Sequence, residues 1–287
     1  MEPETYQFKV GAFHCLAVSD GTFVYPPAGV FANAGKEEYE RALTARHLPL
    51  EEIKTPYVCL YLDTGAHRVL VDTGAGKLAP TTGQLVKNLR SQGIDPGTID
   101  TVIVSHAHPD HIGGNVDSNG NLTFPNARYV MSRGEWGFWT SKPDLSSLKC
   151  DDHLKQLLLQ YAADMLPPIG HRLDLLDGEA EVVPGIHAVA APGHTPGHMA
   201  LEMTSQGETL IDAVDAILHP ILIERLDWYS VVDLLPEKAL ASRRRLLQRA
   251  VETGAGVMAF HFAFPGLGRV TQMDKGFGFT AIGERSA

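Results

Sequence analysis

The stretch from Thr101 to His111 limits what this chain can fold into more than any other, because it joins an apolar strand to a dense group of ionisable side chains. Residues 101–104 read Thr-Val-Ile-Val, which is typical of a buried strand covered on both faces. The next residues bring three imidazoles and a carboxylate close together, namely His106, His108, Asp110 and His111. An apolar core could not give each of these groups a partner. We therefore expect them to emerge at the strand end and to bind divalent cations.

The spacing within this loop indicates two cations rather than one. His106 and His108 lie two residues apart, so extended backbone places both on the same face, where they can bind one ion. Asp110 and His111 come just past the turn and can reach a second ion. The alternative is a solvated, histidine-rich loop, which the preceding strand and the following Gly113-Gly114 disfavour.

Composition excludes several classes of partner. The chain has 287 residues, of which 44% are hydrophobic, ample material for a core. Its net charge of -10 disfavours a nucleic-acid partner, which would need a basic surface. No stretch approaches the roughly 20 apolar residues of a membrane span. The first residues lack the basic and apolar regions of a secretory signal, so we expect a cytoplasmic protein, with a signal already removed as the alternative.

Apolar periodicity predicts alternating strands and helices on either side of the central strand. The predicted strands cover residues 6–10, 13–18, 57–62, 68–72, 127–131, 181–190, 199–204, 208–214 and 256–260. The predicted helices cover residues 36–47, 84–92, 152–165 and 236–252. Asp20-Gly21 is expected to form a turn and residues 25–34 a loop. We expect helix 152–165 to have a buried stripe made of Leu154, Leu157, Leu158 and Tyr161. Arg243-Arg244-Arg245 is expected to lie on a solvated helix face.

Polar side chains also follow other predicted strands. Asp72 ends one strand, and the rigid run Pro192–His198 follows another with two histidines. Asp212 and Asp215 close the strand over 208–214. His261 follows the last predicted strand and precedes an aromatic Pro-Gly loop. Each of these strand ends can supply ligands to the same metal site as residues 106–111.

The pattern H-x-H-x-D-H over His106–His111 resembles the signature of the metallo-β-lactamase superfamily. Four further motifs match that superfamily in order: Asp72-Thr73-Gly74, Pro192–His198, Asp215, and His261 with its Phe-Pro-Gly sequel. The chain is most similar to the methyl parathion hydrolase and lactonase branch through its N-terminal hairpin, Phe138-Trp139 and the run after His261. This resemblance implies an α/β fold, the αββα sandwich of two mixed β-sheets with helices on the outer faces. It also implies one domain over residues 1–287 and a homodimer.

The resemblance assigns a role to each motif. It implies that His106, His108 and His194 bind one metal, that Asp110, His111 and His261 bind the other, and that Asp215 rather than Asp212 bridges them. Asp72 would orient a metal-binding histidine, the alternative being a simple turn-forming residue, and His198 would make a structural hydrogen bond. The cofactors would be two divalent metal ions per chain, with zinc as the default and manganese, iron or cobalt as alternatives.

The implied activity is hydrolysis of an ester-type bond in a small molecule: an aryl ester, a lactone or a phosphotriester. A hydroxide bridging the metals would attack, and Asp110 would pass a proton to the leaving group. An N-acyl-homoserine lactone lactonase is the first alternative. A β-lactamase is disfavoured because its commonest kinds often carry Cys where this chain has Asp215. A metal-dependent oxidoreductase of the same fold and a non-catalytic binding module are further alternatives, the latter disfavoured by the full set of seven ligands.

The substrate pocket is predicted to be apolar. Trp136, Trp139, Phe262 and Phe264 lie next to metal motifs or match pocket positions of the resembled branch, although core packing would also explain them. Leu218 stands three residues after Asp215, where lactonases acting on acyl-homoserine lactones carry a Tyr that can hydrogen-bond the substrate. Without that phenol, we expect a preference for good leaving groups such as phenols.

Overall fold

The computed structural model of the protein describes residues 4–282, and its strands form two sheets of seven strands each. The first sheet contains, in spatial order, β1 (Thr5–Val10), β2 (Phe13–Tyr25), β3 (Ile53–Asp63), β4 (Arg68–Val71), β5 (Thr101–Ile103), β6 (Arg128–Ser132) and β7 (Leu173–Leu176). The second contains β8 (Ala180–Val183), β9 (Ile186–Ala190), β10 (Met199–Ser205), β11 (Glu208–Asp212), β12 (Gly256–Met258), β13 (Leu267–Gln272) and β14 (Phe277–Ala281). Both sheets are mixed: β4 to β7 pair in parallel, as do β11 and β12, and the other neighbours are antiparallel.

Helices connect the strands. They are α1 (Pro27–Val30), α2 (Lys36–Thr44), α3 (Leu85–Ser91), α4 (Pro109–Ile112), α5 (Arg133–Thr140), α6 (Asp152–Met165), α7 (Ile221–Glu224) and α8 (Pro236–Thr253). Short 3₁₀ turns cover Pro96–Thr98, Pro167–Arg172 and Val214–Ala216. Within residues 4–282, none of these helices combines the length and apolarity that a membrane crossing requires.

The two sheets face each other, and helices cover their outer faces. Neighbouring residues of the second sheet show these layers, because successive side chains of a strand point to opposite faces. Leu210 of β11 and Met258 of β12 join the cluster between the sheets. Ile211 and Val257 point the other way, into a second cluster that contains Leu246 and Leu247 of α8. The predicted αββα sandwich is therefore confirmed.

Three predicted elements differ from the structure. The loop predicted over residues 25–34 contains the helix α1, and its first residue, Tyr25, belongs to β2. Asp20-Gly21 is not a turn, because β2 continues through it to Tyr25 with an irregularity in its pairing to β3. The buried Asp20 carboxylate instead accepts hydrogen bonds from the backbone N–H groups of Ala75 and Leu85, each at 2.8 Å, and so fixes the loop after β4. The single strand predicted over 181–190 is two strands, β8 and β9, joined by a turn at Gly185 with φ of 83°.

Candidate metal centre

The predicted ligands converge because their strands all end at one edge of the sandwich. His106 and His108 follow β5, and Pro109 then starts the short helix α4, which carries Asp110 and His111. The remaining ligands come from the second sheet: His194 follows β9, Asp215 follows β11 and His261 follows β12. Backbone hydrogen bonding joins the two sheets here, since the N–H of Met199 donates to the carbonyl of Ser105 at 3.0 Å.

Asp215 is shared by two sets of potential ligands. His106, His108 and His194 with Asp215 form what we call the inner group, and Asp110, His111 and His261 with Asp215 form the outer group. Within each group, one ligand atom from every residue lies within 4.8 Å of the others. Asp215 Oδ2 lies 3.3 Å from His194 Nε2 and 3.2 Å from His261 Nε2, so one carboxylate faces both groups. Asp110 Oδ2 lies 3.4 Å from His261 Nε2.

Hydrogen-bond acceptors behind the imidazoles place the ring protons. The Nδ1 of His111 faces Asp72 at 2.7 Å, that of His194 faces Asp233 at 2.8 Å, and that of His261 faces the carbonyl of Pro56 at 3.2 Å. His106 Nδ1 lies 3.0 Å from a Ser105 hydroxyl that itself donates to Asp72. Each acceptor favours a proton on Nδ1, which leaves the Nε2 lone pair directed into the site, as metal binding requires.

The atoms directed into the site lack partners of their own. His106 Nε2, His111 Nε2 and Asp215 Oδ1 are buried with no hydrogen-bond partner among the described residues. His194 Nε2 faces His108 Nδ1 at only 2.9 Å, so two lone pairs would meet unless a proton or a cation lay between them. Leaving such groups unpaired is costly, and divalent cations would satisfy them together. The residues present therefore fit two divalent metal ions.

Electrostatics favours positive charge at this position. Burial lowers the pKa of His194, but the carboxylates of Asp215 and Asp233 outweigh burial and raise it to about 9. Burial opposes the charged form of Asp215 as well, yet His261 and His111 hold the pKa of its carboxyl well below the usual value. The carboxylates that stabilise a proton here would stabilise a bound cation in its place.

Asp72 and His198 lie behind the ligands, each with a defined partner. Asp72 is fully buried with φ of 60°, and its carboxylate accepts the backbone N–H and the hydroxyl of Ser105 as well as contacting His111. His198 accepts the backbone N–H of Asp215 at Nε2 and contacts the carbonyl of Ala191 through Nδ1, both at 3.2 Å. Burial lowers the pKa of His198 to about 3, so its ring is neutral and holds the Asp215 backbone.

Two buried carboxylates that support the site were not predicted. Glu135 accepts the N–H of Ala107 and the indole N–H of Trp139 at Oε1, and the hydroxyl of Thr195 and the N–H of Gly197 at Oε2, at distances of 2.7–3.0 Å. It thus connects the loop after β5 to the loop after β9. Gly197 is required for this approach, since a Cβ there would lie 2.1 Å from the backbone nitrogen of Glu135. Burial raises the pKa of Glu135, which its hydrogen bonds only partly offset.

Asp233 is the second unpredicted carboxylate, and a buried arginine lies beside its loop. Asp233 accepts the N–H of Ser230 at 2.8 Å in addition to contacting His194. Arg243 was expected on a solvated face, which is wrong: it is 1% exposed and donates to the carbonyls of Ala216 and Trp228. Arg243 therefore ties the segment after Asp215 to the segment that carries Asp233.

An apolar cavity opens onto both groups, since His108 and His194 of the inner group line it together with Asp110 and His261 of the outer group. Asp110, His261 and Asp215 contribute to its floor, and Leu218 lies in its wall. The apolar wall also includes Phe23, Leu78, Leu154, Leu157, Leu158, Val231 and Val232. Three of the leucines that we expected to be the buried stripe of α6 thus face the cavity.

The predicted aromatic residues lie elsewhere, and none of the four is among the cavity-lining residues described. Trp139 is buried, donates to Glu135 and packs its ring edge-on to His108 at 5.8 Å. Trp136 lies beside Gly170. Phe262 is buried in the core with Phe279, and Phe264 packs against the cluster between the sheets. The cavity is lined mainly by aliphatic side chains.

Comparisons with known proteins agree with this arrangement. Residues 54–207 match the sequence profile of the Metallo-beta-lactamase superfamily. The N-acyl homoserine lactonase AiiA of Bacillus thuringiensis subsp. kurstaki is 27% identical over 219 residues, which cover 69% of this chain and 78% of that protein. The structure of AidC, a dizinc quorum-quenching lactonase in complex with a product, superposes with a TM-score of 0.91 at 27% identity, covering 98% of both chains. The hydrolase AbOPH shares the fold, with a TM-score of 0.90 at 23% identity over the full length of both chains.

Proposed function

The chain belongs to the metallo-beta-lactamase superfamily and is a metal-dependent hydrolase of ester-type bonds, and we propose that its substrate is a lactone with an apolar acyl chain. The observation that carries the proposal is the position of the cavity. Its aliphatic wall ends at Asp110, Asp215 and His261, so a bound apolar chain would place the ester bond beside the ligand groups. Relatives described as N-acyl homoserine lactonases support a substrate of this class.

The chain's own residues divide the work of hydrolysis. Two divalent cations bound by the inner and outer groups would supply an activated water and a Lewis acid. Asp110 lies in both the outer group and the cavity wall, so its carboxylate can accept a proton from water and return it to the departing oxygen. The aliphatic wall orients the acyl chain and excludes bulk water. His198 and Asp72 keep Asp215 and His111 in position from behind.

Several finer statements belong to this proposal. We propose zinc as the metal, because imidazole and carboxylate ligands suit it and AidC is described as a dizinc enzyme. We further propose that residues 1–287 form a single domain, that the protein is a cytoplasmic homodimer, and that neither nucleic acid nor a membrane is a partner. The acidic net charge of -10 supports the last point.

An aryl ester or phosphotriester is the competing substrate class. Leu218 favours it, since it provides no hydrogen-bond donor at the position from which resembling lactonases supply a phenol. The two classes differ in the leaving group: a lactone releases an aliphatic alkoxide, whereas an aryl substrate releases a stabilised phenolate.

A substrate panel with metal-replete enzyme tests the proposal. Rates of ring opening for N-acyl homoserine lactones of increasing chain length should be compared with rates for aryl esters and an aryl phosphotriester. We expect kcat/KM to be highest for a lactone and to rise with chain length until the cavity is filled. Higher kcat/KM for every aryl ester than for any lactone would contradict the proposal and favour the competing class. Chelated enzyme is the control and should be inactive on all of these substrates.

A further inference from the structure

Three hydroxyl groups line the cavity, and two of them already donate to the protein. Thr55 donates to the carbonyl of Ile53 at 3.3 Å, and Ser230 donates to the carbonyl of Gly29 at 2.8 Å. Tyr25 differs, because its partner is another phenol: its hydroxyl lies 2.6 Å from that of Tyr57. The direction of this one hydrogen bond decides whether a donor is available to a substrate.

Burial of Tyr57 fixes that direction. Tyr57 is fully buried, and Tyr25 is the hydroxyl's one hydrogen-bond partner among the described residues. If Tyr25 donated, the Tyr57 hydrogen would be buried and unpaired, which is unfavourable. If Tyr57 donates, both hydroxyls are satisfied and the Tyr25 hydrogen is free to point into the cavity. The second arrangement is therefore the stable one in the absence of substrate.

The imidazoles do not offer an equivalent donor. His194 and His261 direct their Nδ1 protons away from the cavity, to Asp233 and to the carbonyl of Pro56. His108 Nε2 is buried and does not reach the cavity surface. Among the side chains described as lining the cavity, Tyr25 can therefore donate a hydrogen bond to a bound molecule while every existing hydrogen bond within the protein is kept.

The phenol pair lies beside the outer group. The Tyr57 ring contacts the His261 ring edge-on, with centroids 5.3 Å apart. Tyr25 and Asp110 both line the cavity. Tyr25 therefore lies on the side of the site where Asp110 would deliver a proton to the leaving group.

We propose that Tyr25 is a catalytic residue whose phenol donates a hydrogen bond to the ring oxygen of the lactone as that oxygen departs, with Tyr57 as its positioning residue. The inference rests on the proposed lactonase function. The acyl carbon gains the oxygen of water, the bond from that carbon to the ring oxygen breaks with its electron pair on the ring oxygen, and the proton from water reaches that oxygen through Asp110. Tyr25 keeps its own proton throughout. Its phenol would replace the one absent at Leu218, and aliphatic alkoxides would then be acceptable leaving groups.

Kinetics of Tyr25→Phe test this role. We expect kcat/KM for an aliphatic N-acyl homoserine lactone to fall about 100-fold, because assistance to a poor leaving group is lost. The rate for a p-nitrophenyl ester should change less than about threefold, because its leaving group needs little assistance. Tyr57→Phe should give an intermediate loss on the lactone. Tyr129→Phe is the matched control. Tyr129 is also a buried tyrosine, but its hydroxyl has no hydrogen-bond partner among the described residues, so its removal should leave both rates unchanged.

Binding gives a readout that does not depend on turnover. The ring-opened N-acyl homoserine product carries the hydroxyl that Tyr25 would contact, so Tyr25→Phe should weaken its binding about fivefold in calorimetry. The substitution also leaves the buried Tyr57 hydroxyl without its acceptor, so we expect the thermal midpoint to fall, and binding is measured well below that midpoint. Wild-type rates on the lactone would overturn the inference, as would equal losses on lactone and aryl ester. If the wild-type enzyme opened no lactone, the proposed function would fail by itself. Product binding and aryl esters of graded leaving-group pKa would then decide the role of Tyr25.

Discussion

The inner and outer groups share Asp215 but differ in what surrounds them. His106, His108 and His194 of the inner group are at most 4% exposed, whereas Asp110 and His261 of the outer group are 8% and 7% exposed. Ligands of both groups line the cavity, namely His108, His194, Asp110 and His261. Two buried carboxylates, Glu135 and Asp233, support the inner loops, while the outer histidines contact Asp72 and the carbonyl of Pro56. The inner group is thus the less exposed and the more heavily supported of the two, although both groups border the cavity.

The largest effect is expected from removing the support of the inner loops. Glu135→Gln replaces one carboxylate oxygen, which accepts hydrogen bonds, with an amide nitrogen, which can only donate. The loops after β5 and β9 would then lose hydrogen bonds to a buried negative charge. We expect the free energy of unfolding to fall by about 3 kcal/mol in urea denaturation. Glu37→Gln on the exposed side of α2 is the control and should change stability by less than about 0.5 kcal/mol. Equal stability of the two variants would show that Glu135 does not stabilise the loops after β5 and β9.

A matched pair of substitutions distinguishes the two groups. Asp233→Asn should weaken the metal of the inner group by about 10–100-fold, since a carboxylate behind a ligand orients it and raises its basicity. Asp72→Asn should weaken the metal of the outer group by a similar factor through His111, and the metal of the inner group less, because Asp72 reaches His106 only through Ser105. Titration with a chromophoric chelator, which resolves two successive dissociation constants, measures the effect. If the same metal were the more strongly weakened one in both variants, the division into inner and outer groups would be wrong.

The smallest effect concerns the cavity wall. Leu157 lines the cavity, whereas Leu159 on the same helix packs against the core. Leu157→Ala should raise KM for a long-chain lactone roughly fivefold, which corresponds to about 1 kcal/mol of binding free energy, and should change KM for a short-chain lactone much less. Leu159→Ala should instead lower the thermal midpoint and leave KM unchanged. If Leu159→Ala raised KM and Leu157→Ala did not, the acyl chain would bind outside this cavity.

The difference between ligand loops and cavity wall explains what could be predicted from sequence. The ligands occur in short motifs at the ends of apolar strands, and strands of one sheet edge deliver them together, so the fold class and the clustering of these residues could be anticipated. The wall of the cavity is built from segments that lie far apart in the sequence, and their contacts produce no pattern within any one segment. The stripe on α6 was predicted as buried, because periodicity identifies an apolar face but not what covers it.

The supporting residues show the same limit. Asp233 contacts His194 although 39 positions separate them, and Glu135 is a single acidic residue in an aromatic stretch. Neither stands out by spacing or composition. The sequence predicts a turn at Asp20-Gly21 and a loop that begins at Tyr25. In the structure, Asp20 instead anchors the loop after β4, and β2 continues to Tyr25. The pair Asp20-Gly21 is typical of a turn in sequence, but here the Asp20 carboxylate is buried and accepts hydrogen bonds from the backbone of a distant loop.

The central claim is that one carboxylate, Asp215, serves two metal ions, and elemental analysis of purified protein tests it most directly. We expect two divalent metal ions per chain in the wild-type protein and a marked loss of both in Asp215→Ala. Asp212→Ala is the matched control, because Asp212 is also buried but accepts the N–H of Val214 and belongs to neither group. It should keep two metals. Full metal content in Asp215→Ala together with loss in Asp212→Ala would contradict the account.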